Sequence, residues 1–190
     1  MKERISSSLM PRLIRRSCGG RLRHDRSGMV AVEMAFILPL MIMLYMASVE
    51  ISNALILDRK VTNAANTVAD LVAQATIINN AEIDNIFDAT RAILTPFDST
   101  TLSVVVSSVV ADNNNNLTVA WSDALNGTAR PPGSAVTLPA ALTTPGSSVV
   151  LAEVRYVYQS PLTYFMPAAF EIEDDFYLRP RRTLRITRVN

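Results

Sequence analysis

The sequence predicts an α+β protein: a long N-terminal transmembrane helix extending into a small exported domain with a second helix and an antiparallel sheet of about three to five strands. Three observations carry this expectation. A strongly basic head is followed by one apolar run of membrane-spanning length. An apolar stripe of helical period continues beyond that run, with no Pro or Gly between residues 40 and 95. Valine-rich segments of alternating polarity, separated by Asn, Pro and Gly clusters, fill the rest.

A chain of 190 residues suits one modest domain plus an extra element. With 49% hydrophobic residues and a net charge of +1, it lacks the low hydrophobicity and high charge of a disordered chain. The small net charge hides an asymmetry. Residues 1–28 hold eight basic and two acidic side chains, +6, and the other 162 hold ten basic and fifteen acidic, −5. Basic flanks of a membrane span stay cytoplasmic, so the head is expected in the cytoplasm and the acidic body is expected to be exported. The only histidine is His24 and the only cysteine Cys18, both in the head. The body therefore lacks the residues for Ser-His-Asp or Cys-His catalysis, for His- or Cys-ligated zinc and for an intrachain disulfide. Six scattered glycines form no phosphate-cradling loop. No catalytic residue, metal site or cofactor is expected.

The apolar run is Met29–Val49, 21 residues with one charge, Glu33. A hydrocarbon core about 30 Å thick needs roughly 20 helical residues. A cleavable secretory signal, cut near Ser52-Asn53-Ala54, is the first competitor, but its apolar core is usually about 7–15 residues long. Arg15-Arg16 is not followed by an apolar run, which argues against a twin-arginine signal. Pro39 removes the hydrogen bond to the Ala35 carbonyl and predicts a kink, although membrane helices tolerate proline. Glu33 is costly at bilayer depth, about 2.5–3.5 kcal/mol, unless it snorkels to the headgroups or finds a partner. A cut after Gly28 would supply one. The new amine of Met29 and the Glu33 carboxylate are i and i+4 on one helical face.

Arg26-Ser27-Gly28-Met29-Val30-Ala31-Val32-Glu33-Met34-Ala35 resembles a processing site of the type IV pilin class, most closely that of the TadE-like pseudopilins of the tight-adherence (Flp) pilus system. The resemblance implies a prepilin peptidase cutting between Gly28 and Met29, with Glu33 fifth in the mature chain. Met34 departs from the aromatic residue often found after that glutamate. The implied partners are the membrane, the prepilin peptidase, other pilins or pseudopilins and the pilus assembly platform, with no nucleic acid. The implied domains are a basic cytoplasmic leader at 1–28, a transmembrane helix at 29–57 and an exported domain at 58–190. A second reading is an uncleaved single-pass protein whose periplasmic domain binds a partner. A third is a membrane-anchored hydrolase using carboxylates.

Beyond the membrane, Val61, Ala65, Val68, Val72 and Ala75 recur at helical spacing, with Asn63, Asn66, Asp70 and Gln74 on other faces. One helix from Met29 to about Ala75 is expected; the alternative is two helices broken at 50–60. A second helix is expected over Ala81–Leu94, with Asn80 as N-cap, Ile83, Ile86, Phe87, Ala89 and Ile93 buried, and Thr95-Pro96 as its end. Strands are expected at Leu102–Val110 and Leu117–Trp121 around an Asn113–Asn116 turn. A loop follows at Ala124–Ser147, then a half-buried strand around 150–158 closed by Pro161, then strand pieces at Phe176–Leu178 and Thr183–Val189. Glu171, Glu173, Asp174 and Asp175 lack the spacing of a calcium loop and read as a solvated acidic turn. Arg179, Arg181, Arg182, Arg185 and Arg188 suggest an ion-pair zone, within the chain or between subunits.

Overall fold

A computed structural model describes residues 27–139, 142–160 and 168–189. Helix α1 is Ser27–Gln74, one continuous helix with Pro39 inside it, and no break occurs at 50–60. The chain divides into two compact units, Met1–Tyr45 and Met46–Asn190. Within the first, the described residues are all helix, and their large apolar side chains are exposed.

The second unit holds the rest of α1 and everything that follows. Here α1 turns one stripe inward: Leu57, Val61, Ala64, Ala65, Val68 and Val72 are fully buried. The alanines keep this stripe shallow, so the helix packs closely. The short strand β1 (Ile77–Ile78) interrupts the helical pattern and leads into helix α2 (Asn80–Leu94). The N-cap is Asn79 rather than Asn80. Asn79 Oδ1 accepts from the Glu82 amide at 2.9 Å and Glu82 Oε2 accepts from the Asn79 amide at 2.9 Å, a reciprocal capping box. Ile83, Ile86 and Phe87 are buried as expected, but Thr90 and Leu94 complete the face while Ala89 and Ile93 are half-buried. A buried threonine is tolerable because its hydroxyl donates to the Ile86 carbonyl at 2.7 Å.

Four strands form an antiparallel sheet: β2 (Leu102–Ala111), β3 (Leu117–Leu125), β4 (Ser148–Gln159) and β5 (Ala169–Leu178), in the order β3-β2-β4-β5. The β2–β3 turn uses Asn115 at φ 62°, and the Asp112 carboxylate accepts from the amides of Asn114 and Asn116. These hydrogen bonds, the Asn116 side chain first, hold the Asp112 carboxyl below its ordinary range. Val104, Val106, Ala152, Val154 and Tyr156 face the core that α1 and α2 complete.

Strand β4 is half-buried only from Arg155 onward; Ser148–Val154 is buried on both faces. The long β3–β4 connection lays Val136 and Leu138 over Val109, Val149 and Leu151 on the outer face. Pro161, expected to end this strand, lies outside the described residues.

The acidic stretch is not a turn. Residues 171–175 lie inside β5, which starts seven residues before the expected Phe176. Phe170, Ile172, Phe176 and Leu178 pack against the core, and Glu171, Glu173 and Asp175 take the opposite face. An edge strand accommodates such charge, which also discourages unwanted pairing. Of the C-terminal stretch, only β6 (Thr187–Arg188) is strand, and it pairs in parallel with β1.

Candidate processing and assembly helix

Gly28 and Met29 lie in the first turn of α1. A Cβ built on Gly28 meets nothing within 4 Å among the described residues, so none of their contacts requires glycine there. Glu33 sits one helical turn beyond Met29, exposed, and forms no ion pair among the described residues. Pro39 lies six residues further on, and the helix continues through it. Apolar residues are exposed on every side of this segment: Met29 by 67% and Phe36 by 78%, for example. The helix is long and apolar enough to cross a membrane, and its most apolar window is wholly unburied. A helix apolar all round requires lipid or other apolar helices as its surroundings.

A second carboxylate on α1 is buried. Glu50 is only 2% exposed, and its Oε1 accepts a hydrogen bond from the Tyr158 hydroxyl at 3.0 Å. Tyr158 is held in turn by the Phe170 ring, with centroids 5.2 Å apart. Burial first, and then the Glu50 carboxylate, push the Tyr158 hydroxyl up to about 12. A signal existed: Glu50 lies seven residues before Leu57 and eleven before Val61, on the buried stripe of the same helix. Lys60 is likewise engaged. Its Nζ donates to the carbonyls of Ile93 at 2.7 Å and Thr95 at 2.8 Å, satisfying the C-terminal end of α2.

The charged residues downstream pair differently from the simplest expectation. The C-terminal arginines do not meet the acidic stretch. Arg181 pairs with Asp70, and Arg188 chelates Asp123 at 2.8 and 3.1 Å. Arg179 donates to the Leu142 carbonyl. Across the outer face of the sheet, Arg155 lies 4.0 Å from Glu171 and 3.5 Å from Glu173. Arg130 donates twice to Glu153, at 2.9 and 2.6 Å. Among the described residues, no group of His, Cys, Asp and Glu is placed to hold a metal ion.

Residues 28–70 match the family model described as TadE-like protein. No curated protein and no solved structure matches the chain. The match opens on Gly28, spans the apolar helix and ends within the buried stripe of α1; residues 71–190 lie outside it. This match agrees with the resemblance read from residues 26–35, over the N-terminal helix.

Proposed function

We propose that the chain is a pseudopilin or minor pilin of a Flp-type pilus, matured by a prepilin peptidase that cuts between Gly28 and Met29. In this reading residues 1–28 are a cytoplasmic leader, 29–57 the inner-membrane helix and 58–190 the periplasmic domain. Glu50 and Leu57, inside the 29–57 segment, are buried against the rest of the chain, which supports a hydrocarbon-crossing part that stops short of Glu50. After cleavage the apolar helix packs laterally against other pilins or pseudopilins on the assembly platform. Glu33 neutralises an N-terminal ammonium, its own or a neighbour's, and so offsets the cost of burying either charge alone.

One observation carries the reading above others: the family match begins on a glycine that no contact among the described residues requires. A glycine kept there without a packing or torsional reason fits a requirement of another protein's active site. The chain does no chemistry in this scheme; it is a substrate once and a subunit afterwards.

Intact mass measurement of the protein extracted from membranes tests the proposal. A mature N-terminus at Met29 is expected. An intact leader would instead support the uncleaved single-pass reading, with a partner-binding periplasmic domain. Gly28→Ala places a methyl group at the cut and should make full-length precursor accumulate, as seen by immunoblot. Normal maturation of that variant would contradict the processing site.

A further inference from the structure

We propose that Asn126 is a modification site gated by the fold: a centre of spontaneous deamidation, sealed while the segment after β3 is closed over the sheet and converted to aspartate or isoaspartate when that segment opens. The inference concerns the exported domain and does not depend on the pilin reading.

Asn126-Gly127 is the one Asn-Gly pair in the 190 residues. Glycine has no side chain to shield its backbone nitrogen, which makes this asparagine the most open to intramolecular attack. In the reaction the deprotonated Gly127 nitrogen attacks Asn126 Cγ. The N–Cγ bond forms, the Cγ–Nδ2 bond breaks and ammonia leaves, giving a cyclic imide. Water then opens the ring, at one carbonyl to give aspartate and at the other to give isoaspartate. The sum is amide plus water to acid plus ammonia, with no redox change.

The fold needs both residues. Strand β3 ends at Leu125, and Asn126 follows at φ 50°, a left-handed conformation that asparagine tolerates. A Cβ on Gly127 would lie 2.6 Å from Ser103 Oγ and 3.3 Å from Val105 Cγ2, so the chain passes too close to β2 for a side chain. The same geometry restrains the pair. Asn126 Nδ2 donates to the Leu102 carbonyl at 3.0 Å. Cγ must swing onto the Gly127 nitrogen for the ring to close, and that swing breaks the hydrogen bond. Four residues on, the Arg130 amide donates to Ser122 Oγ at 3.1 Å and its guanidinium donates twice to Glu153. The segment 126–130 is thus fastened at both ends, and ring closure waits for a local opening.

Conversion undoes the anchor. An ionised carboxylate has no hydrogen to donate, so an acid at position 126 sets its own oxygen and the Leu102 carbonyl against each other as two acceptors. Isoaspartate also adds a methylene to the main chain just before Gly127. Either product disfavours the closed segment, and with it the Arg130 contact that satisfies the buried Glu153 carboxylate. Asn115 is left-handed too, at φ 62°, but Asn116 rather than glycine follows it, which makes it an internal control.

Peptide mass mapping of the full chain, purified from membranes in detergent, tests this. Samples held at mildly alkaline pH with and without urea are read for the amide-to-acid mass change at Asn126. Folded protein should convert on the order of tenfold more slowly than protein unfolded in urea, because only the open fraction reacts. Residues 113–116 should lag behind Asn126 in urea. Arg130→Ala unties the far end of the segment without touching the reactive pair, and should bring the folded rate toward the unfolded one. Circular dichroism of the same sample shows whether that variant is folded; if it is not, Arg130→Lys is read in its place and should give a smaller rise. Equal rates with and without urea, conversion spread evenly over the asparagines, or a folded Arg130 variant converting at the wild-type rate would each overturn the proposal.

Discussion

Two carboxylates on α1 meet the cost of an apolar setting in different ways. Glu33 forms no ion pair among the described residues, and cleavage after Gly28 would put it fifth from a new helix N-terminus, whose dipole favours negative charge. Glu33→Leu should insert and be cleaved normally, since removing a charge lowers the transfer cost. Assembly should fail, because an ammonium buried without its partner costs about 3–5 kcal/mol. Pilus display, scored in cells where cleavage is first confirmed, checks this; full display with leucine would leave Glu33 a headgroup residue. Glu50 is partnered internally by Tyr158. Tyr158→Phe should lower stability by about 1–3 kcal/mol, because Oε1 is left buried without a donor. Thermal melts of Tyr158→Phe and Glu50→Leu/Tyr158→Phe would test it, the double variant recovering part of the loss. The pH dependence has a definite sign. The Tyr158 hydroxyl is raised to about 12 in the folded state, so its contribution is fully present below the unfolded value near 10 and is lost as pH rises toward 12. Tyr158→Phe should flatten that alkaline decline. Glu33 was legible in the sequence because it interrupts a uniform apolar run. Glu50 is in register with the buried stripe, but a carboxylate at the start of a polar stretch reads as solvated until the sheet is placed over it.

At the level of elements, caps and strand parity decide what local pattern leaves ambiguous. The two consecutive asparagines at the start of α2, Asn79 and Asn80, offer equal N-caps by residue type. The glutamate three residues after Asn79 selects between them, since only that register closes both hydrogen bonds of the box. Asn79→Ala should therefore destabilise the domain by about 1 kcal/mol, and Asn80→Ala by less. Chemical denaturation of the two variants side by side checks the difference. Strand β5 illustrates the opposite failure. Four carboxylates in five positions look like a turn, yet Phe170, Ile172, Phe176 and Leu178 pack against the core, with half-buried Asp174 in the same row, and the β4 register holds the strand in line. Charge density governs which face meets water, not whether the segment extends.

Across the second unit, the C-terminal segment works as a strap over the end of α1. The Arg181 amide donates to the Ala73 carbonyl at 2.9 Å, and the Thr187 amide to Thr76 at 3.2 Å. Trp121 Nε1 donates to the Ile186 carbonyl at 2.9 Å, and Arg188 joins Asp123 of β3. These bonds tie helix, sheet and strap into one cooperative unit. Arg188→Ala should cost about 2 kcal/mol, since it leaves a half-buried carboxylate without its bidentate donor. Protease resistance of the exported domain should fall in parallel. An Arg188→Lys variant should recover only part of the loss, because an ammonium cannot make the two-pronged contact.

The sequence by itself determined the long apolar helix, the second helix and the positions of β2, β3 and β4. Each rests on a pattern written in consecutive residues: an unbroken apolar run, a 3.6-residue stripe, a two-residue alternation, a turn of asparagines. Only the tertiary structure decided the sheet order β3-β2-β4-β5, the parallel pairing of Ile77–Ile78 with Thr187–Arg188, and the choice of Asp70 and Asp123 as arginine partners. Those contacts join residues far apart in the chain, such as Arg188 to Asp123 or Tyr158 to Glu50. Local spacing does not encode which distant partner a charge will meet; the packing of α1 and α2 against the sheet does.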